Sequence, residues 1–339
     1  MTETNAQWRL AARPVGLAKP SDWEYVQEPA PEPSDGQFRV QLEYLSLDPA
    51  MRGWMNEVRS YVPPVGIGEV MRAGGLGRVV QSSHPDYEAG DLVSGMFGVQ
   101  RYALSDGSGV NRVDTTLAPA PVWLGALGMT GLTAYFGLLD IGRPEPGQTV
   151  VVSGAAGAVG SVAGQIARIK GCRVVGIAGG PDKCEWLTEQ LGFDAAIDYK
   201  AGEVRAQLRE HTPEGVDVYF DNVGGEILDE VLRRLARGAR VVICGAISQY
   251  NAEQPPKGPA NYMQLLVMRA SMTGFLVFDF AQRYREGVVQ LAEWLQSGEL
   301  VSREDVVEGS LERFPEVFLM LFRGENTGKL ILQLTQDRA

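Results

Sequence analysis

The run Val150-Val-Val-Ser-Gly154-Ala-Ala-Gly157-Ala-Val-Gly160 follows a short β-branched stretch with three evenly spaced glycines. It opens into Ala158–Lys170, where the apolar spacing is helical. Strand, glycine turn and helix in that order bring bare backbone N–H groups and the positive end of a helix dipole to one point. That arrangement can hold a pyrophosphate. The spacing G-x-x-G-x-x-G departs from the usual G-x-G-x-x-G, and a tight packing joint without ligand is the competing reading. About 20 residues further on, an NAD site places an Asp or Glu for the ribose 2′-hydroxyl. Here the chain reads Ala178-Gly179-Gly180-Pro181-Asp182-Lys183. Small residues leave room for a 2′-phosphate and Lys183 can pair with it, so the run favours NADPH over NADH. Asp182 speaks the other way unless it caps the helix that starts there. A solvated surface lysine is the alternative for Lys183.

The rest of the inventory excludes several chemistries. The 339 residues hold two histidines, His84 and His211, and three cysteines, Cys172, Cys184 and Cys244, without a C-x-x-C pair. This is no ligand set for a catalytic zinc, and the expected metal is none. The odd cysteine count suits reduced thiols and a cytoplasmic setting. With 31 Lys and Arg against 42 Asp and Glu, the net charge of −11 repels nucleic acid and anionic membranes. The polar first residues carry no apolar signal core, and no apolar run is long enough to span a bilayer.

Two patterns divide the chain. Up to about residue 122 the sequence is β-rich and broken by Gly and Pro. Gln37–Leu47 alternates apolar and polar, and Arg78–Gln81 and Asp91–Phe97 are further short strands. Such strands predict a small barrel or sandwich. From 123 to 305 strands alternate with helices: Thr149–Ser153, Arg173–Ala178, Ala195–Tyr199, Val216–Phe220, Arg240–Cys244 and Met272–Val277. These predict an α/β fold with a doubly wound parallel sheet covered on both faces. The tail, 306–339, ends in the strand Gly328–Leu334, which is expected to return to the first domain.

Seven collinear blocks are Trp8–Gly16, Leu47–Arg52, Leu127–Phe136, Ala155–Gly160, Phe220–Gly225, Cys244–Asn251 and Gly324–Lys329. Together they resemble the zinc-independent medium-chain dehydrogenases/reductases of the prostaglandin reductase, alkenal double-bond reductase and curcumin reductase group. The resemblance implies a GroES-like β-barrel for 1–122 completed by 306–339, and an NADP-binding Rossmann domain over 123–305. It implies NADPH-dependent reduction of the C=C bond of small hydrophobic enones and enals, in a homodimer. Carried over by position, Gly157, Ala158, Val159 and Gly160 would hold the pyrophosphate, and Lys183 and Tyr199 the 2′-phosphate. Asn222 would line the cofactor groove. Cys244, Gly245, Ala246, Ile247, Ser248 and Tyr250, with Phe275, Leu276 and Val277, would flank the nicotinamide and its ribose, and Asn326 would reach in from the tail. Each has an ordinary alternative, Asn222 and Asn326 as turn residues and Phe275 and Val277 as core. Many relatives carry Gly-Ser where this chain has Gly179-Gly180, which leaves more of the NADP preference to Lys183 and Tyr199.

With no metal and no suitably placed histidine, the protein's part is to position the cofactor and to stabilise charge. Hydride arriving at the β-carbon of an enone builds an enolate, and a neutral donor aimed at its oxygen helps most. Tyr250 is the first candidate donor and Tyr61, in the barrel half, the second. The substrate is expected in a cleft between the domains, against an apolar wall of Trp54, Met55, Tyr61 and Phe97, with core packing as the alternative for all four and the stronger reading for Phe97. A Met272–Val277 edge strand would serve for edge-to-edge dimerisation. The competing readings are an NADPH:quinone reductase, a non-catalytic NADPH-binding protein on the same scaffold and, more remotely, a methyltransferase.

Overall fold

The computed structural model describes residues 3–335. The chain divides into two compact units, Met1–Leu124 with Glu304–Ala339, and Gly125–Arg303.

In the first unit, β1 (Thr4–Leu10) and β2 (Trp23–Pro29) form an antiparallel pair. A larger sheet is built on β3 (Phe38–Ser46), β4 (Gly75–Ser82), β5 (Leu92–Gly95), β6 (Tyr102–Ser105) and β7 (Asn111–Arg112). The tail strand Lys329–Leu334 pairs antiparallel with β3 and parallel with Glu304–Gly309. That pairing places the chain's last strand beside a strand almost 300 residues earlier, which the apolar run at its end requires in order to be covered on both faces. Phe38, Leu42, Leu45, Met51, Phe314 and Phe318 are at most 1% exposed and lie in one cluster. Burial of side chains this size contributes about 1.5–3 kcal/mol each.

Met55 and Phe97 belong to the same cluster, 0% and 5% exposed. The alternative of core packing holds for both, and the wall expectation is corrected for Met55: both are spent on the barrel core. Trp54 is only partly buried, and its indole N–H donates to the Tyr61 hydroxyl at 3.1 Å.

The second unit is a six-stranded sheet in which every adjacent pair is parallel. Its strands are β8 (Thr149–Ser153), β9 (Arg173–Ala178), β10 (Ala195–Asp198), β11 (Val216–Asp221), β12 (Leu235–Ile243) and β13 (Ser271–Gly274). The order is β10-β9-β8-β11-β12-β13. The chain winds outward from β8 in one direction and from β11 in the other, so the strand order reverses between these two. Open parallel sheets bind ligands beyond the carboxyl ends at such a point. Every residue of β8 is buried, which is why its sequence is a run of β-branched residues rather than an alternation.

In the second unit, two strands differ most from the sequence reading. The last strand stops at Gly274 instead of Val277, because the Phe275 ring leaves the sheet to pack edge-on against Phe220, their centroids 6.4 Å apart. Val277 then opens a helical turn, Val277–Arg283, and is buried as core. β12 begins five residues earlier than expected, at Leu235. Ahead of β8, the chain is regularly helical across Met129–Phe136 and widens into a π-type turn at Gly137–Gly142.

Candidate active site

The turn after β8 is built by three glycines with three different duties. Gly154 has φ +58, a conformation that disfavours a side chain. Gly157 is the N-cap of the helix Ala158–Ile169, and its N–H donates to the Gly154 carbonyl at 2.9 Å. Gly160 sits so close to the turn that an added Cβ would meet the Gly154 carbonyl oxygen at 2.3 Å. No side chain caps this helix and no acid lies in its first turn. Gly157, Ala158 and Val159 are half-buried, so their backbone remains within reach of a ligand. A twelve-residue helix with a side-chain-free N-terminus at the sheet's carboxyl edge fits a pyrophosphate.

The end of β9 has the same close-packed character. An added Cβ on Gly179 would meet the Tyr199 hydroxyl at 2.8 Å and Lys200 Cε at 2.9 Å, so the glycine is what lets those two side chains lie over the strand end. Gly180, at φ +98, is the N-cap of the helix Pro181–Glu185, which carries Lys183 half-buried on its first turn. Asp182 lies exposed in that turn and caps nothing by its side chain. An acid is present nearby after all. Asp198, at the end of β10, accepts N–H bonds from Gly180 at 2.7 Å and from Lys200 at 2.9 Å. The Gly180 bond, ahead of the others, holds its carboxyl below the usual carboxylate range. This carboxylate is spent on shaping the loop. Lys200 was not singled out from the sequence, although its place beside Tyr199 was the available signal.

On the other side of the reversal point, β11 ends in Asp221, which is 1% exposed. Its Oδ1 accepts from the hydroxyls of Ser153 and Tyr219, both at 2.8 Å, and from the backbone N–H groups of Val223 at 3.0 Å and Gly224 at 2.9 Å. Asn222 donates its side-chain amide to the Ser153 carbonyl at 2.7 Å and its backbone N–H to Ser153 Oγ at 3.0 Å. The backbone carbonyl of Asp221 accepts from Cys244 at 2.9 Å and Gly245 at 3.1 Å. Asp221 and Ser153 were also missed. Both stand at strand ends inside or next to the quoted blocks, but a buried polar residue is invisible until its partners are known.

The Cys244–Tyr250 segment is held down along its length. Ile247 N–H donates to the Asn222 carbonyl and Ser248 N–H to that of Val223, each at 3.2 Å. Tyr250 folds back, so that its hydroxyl accepts from the Ala246 N–H at 3.1 Å. A phenol hydroxyl can both accept and donate. Burial first, and then the Asp221 charge, push the Cys244 thiol up to about 12, so it is neutral at pH 7 and no nucleophile. Phe275 rests against Gly137, where an added Cβ would come within 2.3 Å of its ring. Leu276 is half-buried beside it.

The second unit thus gathers Gly157–Gly160, Asn222, Cys244–Tyr250 and Phe275 at the carboxyl ends of β8, β11, β12 and β13, with Lys183 and Tyr199 beyond β9 and β10. Tyr61 and Asn326 lie in the first unit. Tyr61 is 47% exposed, and the Asn326 side chain donates to the Gly328 carbonyl of its own turn at 3.0 Å. Among the described residues no group of three His, Cys, Asp or Glu side chains is placed to hold a metal ion.

A barrel unit joined to a parallel sheet with a glycine turn at its point of reversal defines a two-domain, dinucleotide-type dehydrogenase/reductase. Residues 6–113 match the family described as the N-terminal domain of oxidoreductase, and residues 158–294 the one described as zinc-binding dehydrogenase. The chain belongs to the medium-chain dehydrogenase/reductase family, in its zinc-independent group. It is 48% identical to the Bacillus subtilis protein named NADP-dependent oxidoreductase YfmJ, over 99% of both chains. It is 42% identical to the NADPH-dependent curcumin reductase of Escherichia coli, over 99% of this chain and 98% of that one. The crystal structure of CurA from Vibrio vulnificus in complex with NADPH superimposes with a TM-score of 0.92 at 44% identity, covering 98% of this chain and 100% of that one.

Proposed function

We propose that this protein is an NADPH-dependent reductase of the C=C bond in α,β-unsaturated ketones and aldehydes. The observation that carries the cofactor choice is the end of β9 and β10. Asp198 is turned into the loop by two N–H donors, while Tyr199 and Lys200 lie against Gly179 and Lys183 stands on the helix that Gly180 caps. A site for a ribose 2′-hydroxyl needs a presented acid, whereas a 2′-phosphate needs cations and a hydroxyl. Gly157, Ala158, Val159 and Gly160 would hold the pyrophosphate through the N-terminus of their helix. Asn222, Cys244–Ser248, Phe275, Leu276 and Val277 would flank the nicotinamide end.

When bound, NADPH supplies the hydride that the β-carbon of the conjugated carbonyl accepts. The chain's own contribution is to hold that carbonyl, and Tyr250 is the residue we assign to it. Its hydroxyl is oriented by the Ala246 N–H and donates to the oxygen on which enolate charge gathers. Tyr61 is the second candidate donor, and Asn326 a further cofactor contact. The names of the related curcumin, prostaglandin and 2-alkenal reductases support the enone class of substrate.

Two coarser assignments accompany this reading. No helix among the described residues is long and apolar enough to cross a membrane, which agrees with a cytoplasmic protein. Ser271, Thr273 and Gly274 on the edge strand β13 are exposed, which suits pairing with the same strand of a second copy.

The test is NADPH absorbance with benzalacetone as the enone and menadione as the quinone. Faster oxidation with benzalacetone, giving the saturated ketone, supports the reading. Turnover of menadione alone replaces it with a quinone reductase, and oxidation with neither replaces it with a binding protein.

A further inference from the structure

Asp221 is a buried charge with an unusual set of partners, and the chemistry assigned above does not use it. Taking a carboxylate out of water is unfavourable by several kcal/mol unless its oxygens are well supplied with donors. Here four donors converge on one oxygen, two from hydroxyls that are themselves buried and two from the backbone of the glycine turn that follows. Closing the turn requires only the two backbone bonds. The added Ser153 and Tyr219 hydroxyls tie the carboxylate to β8 and to its own strand. The same residue's main-chain carbonyl accepts from Cys244 and Gly245. One residue therefore fixes the loops after β11 and β12 against each other and, through Ser153, ties them to β8 across the point where the strand order reverses. A chain of backbone bonds carries that constraint onward. Ile247 and Ser248 hang from Asn222 and Val223, and Ala246 meets the Tyr250 hydroxyl.

We infer that Asp221, supported by Ser153 and Tyr219, is a positioning residue that sets the placement of the Asn222–Gly225 and Cys244–Tyr250 loops and thereby the orientation of the nicotinamide end of the cofactor, without contributing to its affinity. The inference rests on the proposed cofactor reading. Ser153 stands next to the pyrophosphate turn, but none of the four donors to Asp221 comes from Gly154–Gly160, Lys183 or Tyr199, so binding strength and ring placement separate.

The experiment uses the full-length protein with Asp221→Asn, Ser153→Ala and Tyr219→Phe, each checked by its melting temperature. NADPH affinity is titrated by fluorescence, the emission maximum and lifetime of the bound nicotinamide are recorded, and kcat is measured with benzalacetone. The expected result is an NADPH Kd within about three-fold of the parent, a bound-state emission shifted towards that of free NADPH, and kcat lowered about ten-fold or more. Each hydroxyl variant keeps three of the four donors, but Tyr219→Phe also leaves the Asn222 N–H bond to Ser153 Oγ in place and should fall between the parent and Ser153→Ala. Unchanged emission and kcat in a folded Ser153→Ala would overturn the inference, as would affinity and kcat falling together with the melting temperature. If the parent oxidises no NADPH with benzalacetone, the enone reading fails by itself, and the emission of bound NADPH still decides the positioning role.

Discussion

Two turns of the parallel sheet begin alike and end differently. After β8 and after β11 a buried strand meets glycines with positive φ, Gly154 in the first and Gly224 and Gly225 in the second, and each leads into a helix. The first turn ends its strand with the neutral Ser153. Its helix has neither a side-chain cap nor an acid in its first turn. The second ends its strand with Asp221, whose carboxylate takes the N–H groups of Val223 and Gly224 for itself. A strand–glycine–helix turn is an anion site by default. The chain supplies its own anion to one, and in the function proposed above the other is left to the cofactor's pyrophosphate. The glycine pattern alone does not separate the two turns; the residue just before it, Ser153 or Asp221, does.

The largest effect that can break this contrast is bulk at Gly160. Gly160→Val puts a side chain into the Gly154 carbonyl, which cannot give way. It should cost about 3 kcal/mol of stability and remove measurable NADPH binding, read by melting temperature and fluorescence titration. Next comes the donor set by the braced turn. Tyr250→Phe is expected to lower kcat for benzalacetone about a hundred-fold with NADPH affinity nearly unchanged, as steady-state kinetics would reveal. An unaltered kcat would remove Tyr250 from the chemistry. Lys183→Ala sharpens the account of the open turn, since it should reduce kcat/KM about ten-fold with NADPH and leave NADH unaffected.

The smallest effect is one of pH. Asp198 has its carboxyl held below the ordinary range, chiefly by the Gly180 N–H. A depressed acid contributes stability that is present above its unfolded value of about 4 and lost as pH falls through the folded one. Asp198→Asn should therefore lower the melting temperature slightly at pH 7, with the gap from the parent closing as the pH drops below about 4. A gap that stayed constant would assign the loss to shape rather than charge.

Much of this was legible before the structure. Thr149–Ser153 and Arg173–Ala178 are strands with the limits expected, because a continuous β-branched run between glycines has few other uses. The helix from Ala158 was legible for the same reason. What escaped had a tertiary cause. Phe275 reads as strand by composition but is drawn out of the sheet by the space that Gly137 leaves. Met55 and Phe97 read either as an adaptable wall or as core, the latter more so for Phe97, and the barrel's packing decides for core. Asp221 lay in plain sight in Phe220-Asp-Asn-Val-Gly-Gly, yet its meaning depends on Ser153, 68 residues away in sequence and 2.8 Å away in space. Spacing arguments find residues that act alone or in runs. They do not find a group whose partners come from separate strands.

The central claim is tested most directly by following one deuterium. The protein is given NADPH labelled at the transferable C4 position together with benzalacetone, and the product is analysed by mass spectrometry and NMR. The account predicts a saturated ketone with deuterium at the former β-carbon. Deuterium on the carbonyl carbon of an alcohol, or an unlabelled product, would contradict it.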